Sequence, residues 1–508
     1  MENIFLTHEE KTKEEYKRII TETAEAVSNA FTDDRAYAGP TPDELKKLIH
    51  VDELLPSHGA GWDTVLERLK KQILPNFLRT PSTDYMAHLH SAATLESIAA
   101  ELILSTFNQS MDSWDQAPVA TEVEVEVIKK LCAMYGYSDG ADGVFTSGGS
   151  QSNQTALLLA RDWFISNKFG YDVKKYGLPA DFKKLRMYTS EISHFSMEKS
   201  AHIMGMGYES VVKVPVDDRQ RMDVNALKSL VEADIKAGNI PYCVVATIGT
   251  TDFGSIDPVE ALSEICREHG MWLHADAAYG SGVILSEKYA ARIAGLSKCD
   301  SITVDFHKMF MLPISCSAVL IKDGKNFDAL TIHADYLNRE EDEEDGYTNL
   351  VDKSMQTTRR FDALKVWVSF QARGKDGWSK LITTCMDNAA YLYGKLKADA
   401  DFDVVTEPEI SSVVFRLSPS FCGKACGSNG SKCADGAENA AQNGNCATNE
   451  LCDTINKRVR RALIHEQGVV IGQTTCKGNT YLKFTLLNPL LTHEKLDKLL
   501  ALIKSLAN

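Results

Sequence analysis

The sequence lacks long apolar runs and has little positive charge for its size. Its 508 residues carry 55 Lys and Arg against 70 Asp and Glu, which gives a formal net charge of −15. Binding to nucleic acid requires a basic surface, so we expect no nucleic-acid partner. No stretch reaches 18 uninterrupted apolar residues, so we predict no membrane span and no membrane partner.

Closely paired cysteines and a secretory signal are also missing. The first twenty residues have neither a basic start nor an apolar run, which favours a cytoplasmic location in which thiols stay reduced. Seven of the 12 cysteines stand singly in apolar surroundings, as buried reduced thiols do. These seven are Cys132, Cys243, Cys266, Cys299, Cys316, Cys385 and Cys476.

The other five cysteines lie in a segment rich in Gly, Ala, Asn and Ser, residues 422–452. A zinc site is one interpretation, but the segment contains no CxxC pair and no histidine. We therefore predict an exposed, mobile loop without a metal. The five cysteines are Cys422, Cys426, Cys433, Cys446 and Cys452.

Apolar periodicity changes along the chain. Residues 10–75 and 92–136 show helical spacing, whereas short β-rich runs alternate with helical segments from about residue 185. That alternation is typical of an α/β fold with a mostly parallel sheet covered by helices. We predict a helical N-terminal segment (1–90), a large α/β domain (91–375) and a small α+β domain (376–508) with the Cys-rich insert at 419–452.

Two polar residues stand at the ends of apolar strand candidates. Lys308 lies between the runs "SITVDF" and "SAVLIK", where an unpaired charge is costly. A lysine in such a position can be a nucleophile that forms a carbon–nitrogen double bond with an aldehyde. Asp276 ends the strand candidate "MWLHADAA", at the end where parallel sheets bind ligands. Taken alone, Lys308 could extend to solvent and Asp276 could cap a turn.

Two further motifs complete a consistent set. Gly148, Gly149 and Ser150 precede a helix, and free N–H groups at a helix start bind anions. His194 follows a strand candidate and could stack on a flat ring. Together with Asp276 and Lys308, these residues provide a phosphate cradle, a ring stacker, a partner for a pyridinium nitrogen and an amine for an aldehyde. Pyridoxal phosphate requires all four.

The signature around Lys308 resembles the group II pyridoxal-phosphate-dependent amino-acid decarboxylases of fold-type I. In that family a serine and a short spacer precede the lysine, and an apolar block with a closing base follows it; here the pattern runs from Ser301 to Lys322. The resemblance covers about residues 60–500. It implies a decarboxylase with a fold-type I α/β architecture.

The resemblance also implies roles for residues around the cofactor. Lys308 would hold pyridoxal phosphate through a carbon–nitrogen double bond. Contacts to the phosphate would come from His307, Ser150 and the Gly149 backbone. His194 would stack on the ring and take part in catalysis.

Further implied roles concern the ring nitrogen, the proton donor and a partner subunit. Asp276 would pair with the pyridine nitrogen, with Ala278 against the ring and Thr247 nearby. Tyr336, on a loop, would protonate the carbanion after CO2 leaves. In a homodimer with shared active sites, the partner's phosphate site would be completed by Thr357 and Thr358.

The substrate is less well defined by sequence. The segment "YMAHLHSAATLES" corresponds to the family's substrate pocket, so we predict substrate contacts from His88, Leu89, His90 and Ser91. Its histidines argue against an aromatic substrate. Residues 108–118 and 353–367 resemble the L-2,4-diaminobutyrate decarboxylase branch, and Asp112 or Asp115 could receive a cationic side chain.

Other functions stay open at this stage. Glutamate, cysteine sulfinate and aromatic amino acids are alternative substrates. A fold-type I transaminase is a second enzymatic possibility, because Lys483 could bind a substrate carboxylate near the C-terminus. A non-catalytic binding protein is a third, although it would have no physical need for the intact set of Lys308, Asp276, His194 and Tyr336.

Overall fold

The computed structural model describes residues 4–334, 338, 345–428 and 449–508. Within these residues, twelve strands form two sheets. The strands are β1 (Tyr85–Met86), β2 (Asp142–Thr146), β3 (Leu185–Ser190), β4 (Val211–Val214), β5 (Ile240–Thr247), β6 (Trp272–Asp276), β7 (Ser301–Asp305), β8 (Ser317–Ile321), β9 (Phe402–Val404), β10 (Ser412–Leu417), β11 (Val470–Cys476) and β12 (Asn479–Thr485).

Helices cover both sheets. In the described part of the chain the α-helices are α1 (Glu10–Asn29), α2 (Pro42–Leu48), α3 (Trp62–Arg68), α4 (Leu95–Phe107), α5 (Pro118–Met134), α6 (Gly149–Phe169), α7 (Val173–Tyr176), α8 (Ser196–Ile203), α9 (Val224–Lys236), α10 (Val259–His269), α11 (Ala363–Ala398), α12 (Pro419–Ser428), α13 (Asn449–Ala462) and α14 (His493–Ala507). No helix among the described residues combines the length and the apolar character that crossing a membrane requires.

The central sheet has the strand order β2-β8-β7-β6-β5-β3-β4. Only β8 runs antiparallel to its neighbours, β7 and β2, so the predicted mostly parallel α/β sheet is confirmed. Strand β5 shows why its sequence is apolar throughout. Cys243 and Val245 face the core that α6 and α8 cover, and Val244 and Ala246 face the core that α9 and α10 cover.

The second sheet has the order β1-β11-β12-β10-β9. Its C-terminal strands pair antiparallel, and with α13, α14 and the end of α11 they bury a separate apolar core. The predicted α+β character of this region is confirmed. Strand β1, which the sequence analysis did not identify, joins from the N-terminal side: Tyr85 and Met86 pair in parallel with Val470 and Ile471.

The Cys-rich insert is not a loop from end to end. Helices α12 and α13 extend into it, and they bury Cys422 and Cys452 rather than exposing them. Cys452 lies on the same face of α13 as Ile455 and Val459, so its burial follows from the helical period. The side chain of Cys426 and all of Cys433 and Cys446 lie outside the described residues.

The structure also describes the seven isolated cysteines and the possible metal ligands. All seven isolated cysteines are buried and form no disulfide, which confirms the prediction of buried reduced thiols. Among the residues described, no group of three or more His, Cys, Asp or Glu side chains is arranged to hold a metal ion.

Candidate active site

The carboxyl ends of the parallel strands meet around one cavity. Because β2, β3, β5, β6 and β7 run in the same direction, the polar residues that follow them lie at one edge of the sheet. This cavity, which we call the site cavity, has a volume of about 520 Å³. Nine of the predicted site residues line it: Leu89, Gly149, Ser150, His194, Thr247, Asp276, Ala278, His307 and Lys308.

Lys308 has a carboxylate partner inside the site cavity. Its Nζ lies 2.9 Å from Oδ2 of Asp305, the last residue of β7, whose side chain is buried. This pairing explains how a lysine is accommodated between two apolar strands, since the neighbouring charge offsets its desolvation. Sequence reasoning overlooked Asp305. The signal available in the sequence was the i, i+3 spacing between Asp305, at the end of a strand candidate, and Lys308.

The start of α6 forms an anion site. Gly148 is the N-cap residue and provides no side-chain cap, so the first N–H groups of the helix are free to bind a ligand. Gly149 must lack a side chain, because a Cβ there would lie 2.7 Å from a carboxylate oxygen of Asp305. A phosphate group suits these donors. The buried hydroxyl of Thr247, at the end of β5 beside Asp276, has no hydrogen-bond partner among the described residues.

Asp276 and His194 lie on the inner side of the site cavity. The backbone N–H of Ala278 donates to Oδ1 of Asp276 at 3.3 Å, and Asn153 donates to its Oδ2 at 3.1 Å. Burial lowers the pKa of His194, against the opposing effect of the Asp276 charge, so this imidazole is neutral at physiological pH. The site thus offers a carboxylate and a neutral aromatic ring in the same cavity as the amine of Lys308.

Comparison with known proteins agrees with this geometry. Residues 42–418 match the family described as the pyridoxal-dependent decarboxylase conserved domain. The chain belongs to this family. It is a pyridoxal-phosphate-dependent amino-acid decarboxylase, and the predicted family, cofactor and fold type are confirmed.

Individual relatives of the decarboxylase share most of its length. L-2,4-diaminobutyrate decarboxylase of Acinetobacter baumannii is 37% identical over 96% of this chain and 92% of its own. Human cysteine sulfinic acid decarboxylase is 34% identical over 74% of this chain and 75% of its own. A crystal structure of the glutamate decarboxylase domain of diaminobutyrate-pyruvate transaminase and L-2,4-diaminobutyrate decarboxylase from Vibrio parahaemolyticus superimposes with a TM-score of 0.86 at 34% identity, covering 99% of this chain and 98% of that one.

The decarboxylase residues fit pyridoxal phosphate at three places. The uncapped start of α6 suits the phosphate, Asp276 suits the ring nitrogen and Lys308 suits the aldehyde. The roles that we assign to single residues stay predictions, as does the division of the chain at residues 90/91 and 375/376.

Some predicted site residues of the decarboxylase lie beside the site cavity instead of lining it. In the segment His88–Ser91, only Leu89 lines the cavity. Ser91 fastens the segment by donating to the backbone oxygen of Lys308 at 2.7 Å, and His90 lies 3.3 Å from the hydroxyl of Tyr85. Tyr336, the predicted proton donor, lies outside the described residues.

Thr357 and Thr358 are exposed and lie away from the site cavity of their own chain. The next residue, Arg359, is buried and forms a 2.9 Å ion pair with buried Glu124. Glu124 also accepts the backbone N–H of Phe145 on β2, the strand that leads to the α6 phosphate site. The two threonines are therefore presented at the surface by a firmly anchored segment.

A buried histidine of the decarboxylase predicts how stability depends on pH. Burial lowers the pKa of His274 from 6.5 to about 4, with partial opposition from the Asp276 charge. The folded state thus resists protonation, so stability is complete above pH 6.5 and is lost as the pH falls towards 4. We expect His274 to account for about 3 kcal/mol of this loss.

Denaturant titrations of wild type and His274→Gln at several pH values between 7 and 4 measure this contribution. The stability advantage of wild type over the variant should shrink as the pH falls. His202→Gln, at an exposed position on α8, serves as the control and should show a constant difference. A wild-type advantage that persists unchanged at pH 4 would contradict the prediction.

Proposed function

We propose that this decarboxylase converts L-2,4-diaminobutyrate to 1,3-diaminopropane and CO2. The observation that carries the proposal is the placement of Lys308 and Asp276 in one cavity. Similarity to the Acinetobacter diaminobutyrate decarboxylase, which extends over nearly the whole of both chains, supports this substrate. Similarity to the human cysteine sulfinic acid decarboxylase covers about three quarters of each chain.

Different residues of the chain serve different steps of the reaction. Bound pyridoxal phosphate supplies an aldehyde for amines and a pyridinium ring that accepts the electron pair released when the bond from Cα to the carboxylate breaks. Lys308 provides the amine that holds the aldehyde and is exchanged for the substrate amine. Asp276 keeps a negative charge at the ring nitrogen, and His194 packs on the ring face. Tyr336 returns a proton to Cα.

A pair of opposite charges at the edge of the site cavity suits a substrate with two ammonium groups. Nζ of Lys483 lies 2.8 Å from Oδ1 of Asp252 and 3.2 Å from the backbone oxygen of Thr251, which lines the cavity. A diamino acid can exchange partners with this pair: its carboxylate binds Lys483 and its side-chain ammonium binds Asp252. Lys483 and Asp252 do not line the cavity themselves but adjoin it through Thr251. Asp112 and Asp115, which we considered for this role from sequence, do not line the cavity of the described chain either.

An amine-product screen tests the substrate. Purified protein with added pyridoxal phosphate is offered L-2,4-diaminobutyrate, ornithine, lysine, glutamate, cysteine sulfinate and aromatic amino acids, and the amines are identified by mass spectrometry. We expect 1,3-diaminopropane to form with the highest kcat/KM. Release of CO2 without keto acid separates decarboxylation from transamination. A higher kcat/KM for glutamate or cysteine sulfinate would overturn the proposal.

The same screen tests the role of Asp252. Asp252→Asn should lower kcat/KM for L-2,4-diaminobutyrate about 10- to 100-fold, because a bond between two charges is lost. The matched control is Asp403→Asn, which breaks the Asp403–Arg416 ion pair in the C-terminal region at similar exposure. We expect the control to stay within about threefold of wild type.

We also propose a cytoplasmic homodimer in which each subunit completes the other's phosphate site. Exposure of Thr357 and Thr358, together with their anchoring through Arg359, supports their reaching a neighbouring subunit. The free, buried cysteines suit a reducing compartment.

Mixing two inactive variants tests the shared site. In a hybrid of Lys308→Ala with the double variant Thr357→Ala/Thr358→Ala, one site combines an intact Lys308 with intact threonines from the other subunit. Because half of the dimers in an equal mixture are hybrids with one such site, about a quarter of wild-type activity should return. Sedimentation or light scattering confirms the dimers. Hybrids that form and stay inactive would exclude sharing.

A further inference from the structure

A chain of buried hydrogen bonds links Asp276 to His194 beneath the site cavity. Asn153, on α6, is its centre: Nδ2 lies 3.1 Å from Oδ2 of Asp276 and 3.0 Å from Oγ of Ser196, and Oδ1 lies 3.0 Å from Nε2 of His274. Oγ of Ser196 in turn lies 2.8 Å from Nδ1 of His194. These contacts join three elements, α6, β6 and α8, and the loop that precedes α8.

The chain continues away from the site cavity. Nδ1 of His274 lies 2.8 Å from Oγ of Ser301, and the same hydroxyl accepts the indole N–H of Trp272 at 2.8 Å. Asn153, Ser196, His274, Ser301 and Trp272 are all almost fully buried. Water therefore does not compete for these groups, and an unsatisfied member would be costly.

Three groups bear on the bond directions: the Asp276 carboxylate, the indole of Trp272 and the backbone N–H of Ser196. The Asp276 carboxylate can only accept, so the amide of Asn153 turns its NH2 to Asp276 and its oxygen to His274. The single proton of neutral His274 therefore lies on Nε2. Trp272 is consistent with this, because the Ser301 hydroxyl can accept its indole N–H and still donate its own proton to the unprotonated Nδ1 of His274.

The third group acts on His194. The backbone N–H of Ser196 donates to Nδ1 of His194 at 3.3 Å, so Nδ1 is unprotonated. The Ser196 hydroxyl accepts from Asn153 and can donate its own proton to the same Nδ1. The single proton of a neutral His194 therefore lies on Nε2. The direction deduced from Asp276 and the direction deduced from His194 agree, because both require the NH2 group of Asn153 to donate.

We propose that Asn153 is a positioning residue that orients the Asp276 carboxylate and, through Ser196, fixes His194 as the Nε2–H tautomer. One amide thereby prepares both the group at the ring nitrogen and the group on the ring face. The assignment goes beyond the proposed function and does not depend on which amino acid is the substrate.

Asn153 can position Asp276 because it is one of the two hydrogen-bond donors that the described part of the chain itself provides to this carboxylate. The carboxylate accepts one bond from Asn153 on Oδ2 and one from the Ala278 backbone on Oδ1, so both oxygens are held in place. Loss of the Asn153 donor frees Oδ2, so the ring nitrogen meets a less well positioned partner. Loss of Ser196 leaves that donor in place and affects only His194.

The tautomers can be observed directly in the wild-type protein. Solid-state NMR of sedimented holoenzyme labelled with 15N-histidine distinguishes Nδ1–H, Nε2–H and doubly protonated rings. His194→Gln and His274→Gln assign the two signals. We expect both residues to be neutral Nε2–H tautomers at pH 8. An Nδ1–H tautomer or a mixture at either residue would overturn the proposal.

Cofactor binding, read by absorbance titration and equilibrium dialysis, tests the link to Asp276. Asn153→Leu should raise the dissociation constant of pyridoxal phosphate about 10- to 100-fold. Ser196→Ala should change it less than about threefold. It removes the 2.8 Å contact of the Ser196 hydroxyl with Nδ1 of His194 and leaves only the longer 3.3 Å bond from the backbone N–H, so the Nδ1–H tautomer should appear beside Nε2–H. The matched control is Asn456→Leu, which removes a buried amide in the C-terminal domain that bonds Leu417 and Cys452. We expect no change in affinity or in the His194 tautomer.

Asn153→Asp adds a pH signature that a purely structural role would not produce. At pH 8 its carboxylate lies beside Asp276 and should weaken cofactor binding more than Asn153→Leu does. When the new carboxyl takes up a proton it can donate to Asp276 as the amide did. Relative to wild type at each pH, affinity should thus recover towards pH 6 in Asn153→Asp and not in Asn153→Leu. Equal affinity losses in Asn153→Leu and Asn456→Leu, or parallel pH profiles for the two Asn153 variants, would overturn the proposal. If Asn153→Leu does not fold, the wild-type tautomers and Ser196→Ala still decide it.

Discussion

Lys308→Ala should abolish decarboxylation, with a loss of at least about 10⁴-fold in kcat, because no other amine can take its place beside Asp305. The variant should bind pyridoxal phosphate without the visible absorption of a cofactor joined to a lysine. Both properties are measured on one preparation, by spectroscopy and by CO2 release.

Lys308→Arg separates the charge of Lys308 from its chemistry. The guanidinium keeps a positive charge next to Asp305, so folding and thermal stability should be close to those of wild type. It cannot join an aldehyde as the amine does, so activity should be as low as in Lys308→Ala. Turnover together with the visible band in either variant would show that Lys308 is not the residue that holds the cofactor.

Asp276→Asn should lower kcat about 10²- to 10³-fold, because the ring nitrogen loses the negative charge that keeps its proton in place. The amide has nearly the shape of the carboxylate and can still accept the backbone N–H of Ala278. Cofactor affinity should fall as well. Steady-state kinetics at saturating pyridoxal phosphate isolates the effect on kcat.

Asp300→Asn is the matched control for Asp276→Asn. Asp300 is a partly buried carboxylate next to the central sheet, where it accepts the backbone N–H of Leu273 at 2.8 Å. It lies next to the start of β7, at the edge opposite the site cavity, so activity should stay within about threefold of wild type. Similar losses in both variants would mean that Asp276 acts through stability alone.

Regular periodicity made much of the fold predictable from sequence. The alternation of β-rich and helical segments between residues 185 and 322 reflects a sheet with two covered faces, which the alternating cores around β5 demonstrate. Short strands carried less information. Strand β1 has only two residues, Tyr85 and Met86, and it exists because a distant strand, β11, pairs with it. Burial of Cys422 and Cys452 likewise depends on helix packing that a composition rich in small residues hides.

The site was predictable where one residue follows one strand. Lys308, Asp276 and His194 each follow a strand, and parallel strands bring their ends together. Contacts between residues that are distant in the sequence and meet only in the fold were not predictable. Asp305 beside Lys308 is local, but Asn153 lies 123 residues from Asp276 in the chain and gives no sequence signal of their contact.

The backbone of the segment from His88 to Ser91 is attached at both ends. Pairing of β1 with β11 holds its beginning, and the bond from Ser91 to the backbone of Lys308 holds its end. Neither attachment depends on the side chains of the two or three residues in the middle. Substitutions in the middle of the segment can therefore change which substrate binds, while the backbone around Lys308 keeps its position.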